Sequence, residues 1–131
     1  MFHMEYKQTD YGLSIAIKGL PSKSEILSHI MNLKTIIDNM KVPFHILLDF
    51  SDSNFAMTNE ALRIIEMGRI YMMSKGCDRI VVLYRSSADI VDLFTAFNEM
   101  SILKRERYIS NMINKDALKI AERYLLEGVE P

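Results

Sequence analysis

The sequence predicts an α/β fold: a mostly parallel five-stranded sheet with an antiparallel N-terminal hairpin and four helices, forming one domain over 1–131. Three observations carry that expectation. Strand-like and helix-like periodicities alternate along the chain, which implies parallel strands joined by right-handed crossovers. Two strands contain unbroken apolar runs, Ile46-Leu47-Leu48 and Ile80-Val81-Val82-Leu83, as parallel strands covered on both faces do. The opening residues alternate apolar and polar around a turn, the pattern of a hairpin with one inward face.

The elements follow in order. Phe2, Met4 and Tyr6 alternate with His3, Glu5 and Lys7, and Thr9-Asp10-Tyr11-Gly12 supplies the turn. Leu13, Ile15 and Ile17 then alternate with Ser14, Ala16 and Lys18, and Gly19-Leu20-Pro21 stops this strand. Ser22 with Glu25 three positions later forms a capping box. Ile26, Ile30, Leu33, Ile37 and Met40 make one apolar stripe, closed by Lys41-Val42-Pro43. A strand over Phe44–Phe50 runs into a polar loop and a second helix opening near Thr58, with Glu60 favourably placed at its positive end. That helix carries Ala61, Ile65, Gly68 and Met72 on one side and ends at Lys75-Gly76. Arg79–Tyr84 is the next strand. Ser86 or Ser87 caps a third helix with Asp89 and Asp92 near its start and Ile90, Phe94 and Phe97 on one side. Arg107–Ser110 is the last strand. Asn114 then caps a final helix through Leu118, Ala121 and Leu125, ending at Gly128.

Strands laid down in sequential order would put every crossover helix on one face. The other face would be partly bare, although the two central strands look apolar on both. This mismatch predicts burial against a second copy, a homodimer.

Composition narrows the function classes. A net charge of -1 argues against a nucleic-acid partner. One cysteine, Cys77, excludes an internal disulfide and fits a reducing, cytoplasmic setting. No apolar run approaches the roughly 20 residues that cross a bilayer, so no membrane insertion is expected. The first ten residues have no basic segment followed by an apolar one, as a secretory signal would. Ten methionines without a tryptophan point chiefly to Met as core filler.

Chemistry concentrates at the carboxyl end of the 44–50 strand, where open α/β sheets place their sites. Asp49-Phe50-Ser51-Asp52-Ser53 has the D-x-S-x-S form that holds a cation in von Willebrand factor A domains. The chain after it is too short for that fold, and an Asx/Ser turn explains the residues without a metal. A receiver domain needs an acidic pair where Gly19-Leu20-Pro21 stands. A haloacid dehalogenase needs an Asp where Ser51 stands. His3, His29 and His45 sit apart, without partners at metal-ligand spacing. His45 reads as a satisfied core histidine and the other two as surface. Cys77 follows a helix C-terminus, where the dipole disfavours a thiolate. Lys104, Arg105 and Arg107 read as a solvated connector, with a phosphate or acidic partner as the alternative. Nothing here calls for a cofactor, a metal or a catalytic residue.

Element order and the 44–61 junction resemble the STAS domain, the SpoIIAA-like fold of anti-sigma factor antagonists, a two-layer βα superhelix. In that family a strand ending in Asp leads through a short loop to D-S-S-G, where a Ser or Thr is phosphorylated. Leu48-Asp49-Phe50-Ser51 matches the strand end and Phe55 the loop aromatic, and Met57-Thr58-Asn59-Glu60 falls on D-S-S-G. The usual acceptor is thus Asn59, and Thr58 is the one hydroxyl, a candidate phosphoacceptor. Glu60 would oppose a phosphate there. The best match is the subgroup that shares the fold and lacks the motif.

The resemblance implies a non-enzymatic regulatory or protein-interaction domain with a protein partner. Its surface would be the loop Asp49, Ser51, Asp52, Ser53, Asn54, Asn59 and Glu60, with the exposed side of the second helix. The alternative is a carrier or sensor of a small apolar ligand, with Phe55, Met57, Met72, Met73, Phe94 and Phe97 lining a cavity between helices and sheet. A hydrolase using Asp49 and the serines lacks a base.

Overall fold

The computed structural model describes residues 3–19, 23–52, 59–85 and 105–131. Its elements are β1 (His3–Thr9), β2 (Gly12–Lys18), α1 (Lys23–Asp38), β3 (Phe44–Asp49), α2 (Asn59–Ser74), β4 (Cys77–Tyr84), β5 (Glu106–Ser110) and α3 (Ala117–Glu127). The strands form one sheet in the order β1-β2-β3-β4-β5. β1 is antiparallel to β2 and every later pair is parallel, as the periodicities predict. Three helices are described where four were expected. The expected helix with Asp89, Asp92, Ile90, Phe94 and Phe97 lies outside the described residues.

Strand alternation divides the interior into two cores. Leu13, Ile15, Ile17, Ile46, Leu48, Ile80 and Val82 point to one face, beneath Leu33 and Ile37 of α1 and Met72 of α2. Leu47, Val81, Leu83 and Ile109 point to the other, beneath Ala117, Ala121, Tyr124 and Leu125 of α3. The apolar second face of β3, β4 and β5, expected to be left partly bare, is therefore covered from within the chain by α3. The expectation weighed only crossover helices, whereas α3 follows the last strand and folds back over β3, β4 and β5. On β1 and β2 the second face carries Glu5, Lys7, Ser14, Ala16 and Lys18, polar but for Ala16.

Several boundaries move for local reasons. α1 stops at Asp38, not Met40, because the Asn39 side-chain amide donates to the Thr35 carbonyl at 2.8 Å and closes the turn early. The Val42–Pro43 peptide bond is cis. β4 starts at Cys77, two residues before the expected Arg79, with Cys77 already paired to Phe44. The last helix has Asp116, not Asn114, at its N-cap position, without a side-chain capping bond. Asn114 forms a preceding turn, its side-chain oxygen accepting from the Asp116 N–H at 3.1 Å. Leu118, expected on the core stripe, is 52% exposed, and its neighbour Ala117 takes the buried position.

β2 can approach β3 closely at its start because residue 12 is glycine. Its φ is +143°, and a Cβ would fall on the His45 carbonyl oxygen, within 2.8 Å of the His45 nitrogen. α3 is held at its carboxyl end by Arg79, whose Nη1 donates to the Tyr124 and Leu125 carbonyls at 3.2 Å each. A guanidinium there also answers the negative end of the helix dipole. α2 is tied to β5 by an ion pair missing from the sequence expectations. Arg69 Nε donates to Glu106 Oε1 at 2.5 Å and Nη2 to Oε2, with side chains 0% and 1% exposed. No helix among the described residues is long and apolar enough to cross a membrane.

Candidate functional site

The carboxyl ends of β3, β4 and β5 meet at one edge of the sheet. Asp49 stands in register with Leu83, and Leu83 with Ile109. Alternation puts Asp49, Leu83 and, two residues past Ile109, Asn111 on the α3 side. Asp49 Oδ1 accepts from the Ser51 N–H at 2.9 Å and from the Ser51 hydroxyl at 2.5 Å. This is the Asx/Ser turn that the motif's residue types allow without a cation. Asn111 Nδ2 donates to Ser51 Oγ. The single Ser51 proton goes to Asp49, so Asn111 meets the hydroxyl with its NH₂ and keeps Oδ1 turned elsewhere.

Backbone bonds fix the turn to its neighbours. Phe50 N–H donates to Leu83 O at 2.9 Å, Asn111 N–H to Tyr84 O at 2.8 Å, and Gly19 N–H to Asp52 O at 3.1 Å. Ser110 Oγ donates to Arg85 O at 2.7 Å. The entry to the junction is therefore held by β2, β4 and β5 together.

Of the expected interaction loop, Asp49, Ser51 and Asp52 come together here, with Asp52 exposed. Asp49 faces α3, so its carboxylate is turned away from the α2 side. Asn59 opens α2 and Glu60 lies in its first turn. Ser53, Asn54, Phe55, Met57 and Thr58 lie outside the described residues. The sequence reasoning missed Asn111. Its signal was strand parity counted from Ile109, usable only once β5 is known to lie beside β4.

The remaining chemistry-bearing residues have structural partners. His45 Nδ1 accepts from the Arg79 N–H at 3.2 Å. Burial, then the nearby Arg79 charge, hold this imidazole below its usual value, with Asp78 opposing. His29 is partly buried with its ring edge-on to Tyr6, centroids 6.2 Å apart. Burial pushes the Cys77 thiol up to about 12, with Asp78 and Glu106 adding to it. Arg105 pairs with Asp78, and Arg107 makes two 2.7 Å bonds to Glu130 with its guanidinium 5.2 Å from the Tyr124 ring. The described part of the basic cluster is thus engaged within the chain. Among the described residues no three His, Cys, Asp or Glu side chains gather as a cation site would require.

Three hollows bear on ligands. A depression of about 320 Å³ lies at the site, with Asp49, Asn111, Asn114 and Lys115 around an apolar floor of Leu83 and Ala117. A groove of about 690 Å³ lies at the opposite edge, between the β1–β2 turn, the end of α1 and Pro43. The apolar space between α1, α2 and the sheet, where a carrier would hold its ligand, is about 50 Å³. Binding cavities usually measure roughly 300–1,000 Å³. Met72 is buried in this core and Met73 packs against it.

No protein-family model and no curated protein matches the chain. Among solved structures it is similar to an uncharacterised protein of the DUF3478 family with a SpoIIAA-like fold from Shewanella loihica PV-4. The two are 15% identical, with 92% of each chain covered and a TM-score of 0.60. A structural match over 92% of both chains identifies the fold of this chain, a hairpin followed by parallel strands and a closing helix, as SpoIIAA-like.

Proposed function

We propose that the chain is a non-enzymatic, STAS-like regulatory or protein-interaction domain, working through the 49–60 junction and the outer side of α2. One observation carries this reading. Met67 is 67% and Ile70 38% exposed on α2, and Met31 is 70% and Leu27 43% exposed on α1. The two helices touch where Gly68 meets Ile30, so Met31 and Met67 flank one seam. Large apolar side chains grouped on an outer face are the usual mark of a contact surface, and Met suits an adaptable one. The Asp49–Ser51–Asn111 turn supports the same reading, because its hydrogen bonds hold a loop entry and leave Ser51 without a separate base.

The partner class is protein. A second copy remains one such partner, and with the α3 side of the sheet covered it would use this helical face. The test is affinity capture and cross-linking from the native cell with wild type, Met31→Lys/Met67→Lys and a control, Lys119→Glu on exposed α3. Loss of the cross-linked protein only in the methionine variant supports the proposal; capture indifferent to it refutes it. Thr58 is the modifiable group of the junction. Phosphate incorporation abolished by Thr58→Ala supports a switch, and its absence removes the switch while leaving the contact surface.

A further inference from the structure

We infer that the outer edge of β1 is where a second copy of this chain joins, strand against strand about a two-fold axis at Tyr6, so that one sheet continues through both copies. This goes beyond the contact surface on α1 and α2, because it uses backbone groups at the side of the sheet. β1 ends the strand order, and among the described residues no strand pairs with its outer side. The direction of its backbone groups follows from β2. The His45 N–H donates to the Tyr11 carbonyl at 2.9 Å, and by the same parity Leu13, Ile15 and Ile17 turn their backbone toward β3. Gly12, Ser14, Ala16 and Lys18 therefore bond to their β1 partners Thr9, Lys7, Glu5 and His3. Met4, Tyr6 and Gln8 are left with N–H and C=O groups aimed away from the sheet.

Such an edge is a template for another strand, and β1 lacks the devices that usually blunt one. It is seven residues long, holds no proline, pairs with β2 without a bulge, and carries Glu5 and Lys7 on its exposed face, not pointing inward. An antiparallel two-fold pairing centred on Tyr6 sets Tyr6 against itself, Met4 against Gln8 and Glu5 against Lys7. All seven residues are used, and every hydrogen-bonded pair then consists of residues with outward backbone groups. A shift by two residues, the smallest that keeps this parity, sets Glu5 against Glu5 or Lys7 against Lys7, and like charges directly opposite are unfavourable. Charge and bonding thus select the same register. Glu5 has Lys18 Nζ at 3.9 Å on the β2 side, and Lys7 takes its other side. At the axis the two half-buried Tyr6 rings form an aromatic cross-strand pair. Between this edge and the helical face, the edge is the one whose register and charges match its own copy, and the helical face is left to a different protein.

The test is analytical ultracentrifugation of the full chain from micromolar to near-millimolar protein, where a monomer–dimer equilibrium is expected. Glu5→Lys and Lys7→Glu each make both charge pairs repulsive and should raise the dissociation constant at least about tenfold. The double variant Glu5→Lys/Lys7→Glu exchanges the charges and should return to within about threefold of wild type, a recovery that a merely structural effect on β1 would not give. Gln8→Pro removes an outward N–H without touching the β2 ladder and should also dissociate the dimer. Should that variant fail to fold by circular dichroism, the charge exchange at exposed Glu5 and Lys7 decides. A protein that is monomeric throughout overturns the inference, and so does a dimer indifferent to the β1 variants or a double variant without recovery. A dimer lost only in Met31→Lys/Met67→Lys places the second copy on the helical face and overturns it as well.

Discussion

Removing one partner of the Arg69–Glu106 pair should unfold this protein far more readily than removing both. The side chains are 0% and 1% exposed, and two bonds join them between α2 and β5. Arg69→Met leaves the Glu106 carboxylate in the core without its guanidinium, and Glu106→Leu takes the two-bond carboxylate partner from Arg69. Each uncompensated buried charge costs about 3–5 kcal/mol. For a chain of 131 residues, about 1 kcal/mol moves Tm by roughly 3–4 °C, so each single variant should lose about 9–20 °C. The double variant Arg69→Met/Glu106→Leu leaves neither charge, and apolar replacement of a buried pair is commonly neutral or stabilising. It should therefore lie within about 2 kcal/mol of wild type, with a coupling energy of at least about 4 kcal/mol. Urea melts of the four proteins at neutral pH measure this directly. Single variants costing less than about 1 kcal/mol, or a double variant as unstable as the sum of the singles, would refute the reasoning.

Four further outcomes follow from the same geometry. Gly12→Ala puts a methyl against the His45 backbone at a φ of +143°, and should cost about 3 kcal/mol or more, read as a lower denaturant midpoint. His45 stays unprotonated to lower pH when folded than its usual 6.5. Between those values the unfolded chain binds more protons, so stability should fall as pH drops from 6.5 toward the folded value, and His45→Gln should flatten that slope in melts at about pH 7.5 and 5.5. Cys77, buried and with its thiol pushed up to about 12, should resist a thiol reagent at pH 8 until denaturant is added. Fast labelling of the folded protein would contradict its burial. The Tyr71 hydroxyl donates to Asp38 and is pushed up to about 12 by that bond. Asp38→Asn should lower its absorbance titration midpoint, and an unchanged curve would remove the interhelical bond from the account.

Much of the fold was legible because periodicity survives without tertiary context. Leu13, Ile15 and Ile17 announce an alternating strand, and Leu33 and Ile37 a helix face. The role of α3 was not legible, since its sequence says only that it is amphipathic. That it folds back over Leu47, Val81 and Leu83 depends on where the chain turns after Ser110. Leu118 misled because one residue of phase separates it from Ala117, too little for a short stripe to resolve. Arg69 was readable in part: it lies four past Ile65 and three before Met72, on the buried side, so it needed an acid. That the acid is Glu106 required the β4–β5 pairing. At the candidate site Asp49 and Ser51 were visible by their spacing, while Asn111, which completes the turn, lies 60 residues away from Ser51.

The C-terminal cover has a consequence for biosynthesis. α3 follows every strand in the chain, yet it is what shields Leu47, Val81, Leu83 and Ile109. As the ribosome advances at about 5–20 residues per second, the sheet can pair before that helix emerges. A nascent chain stalled just after Ser110 would present one apolar sheet surface without its α3 cover. Such an intermediate exposes the apolar surface on which aggregation starts, and docking of the last helix removes it.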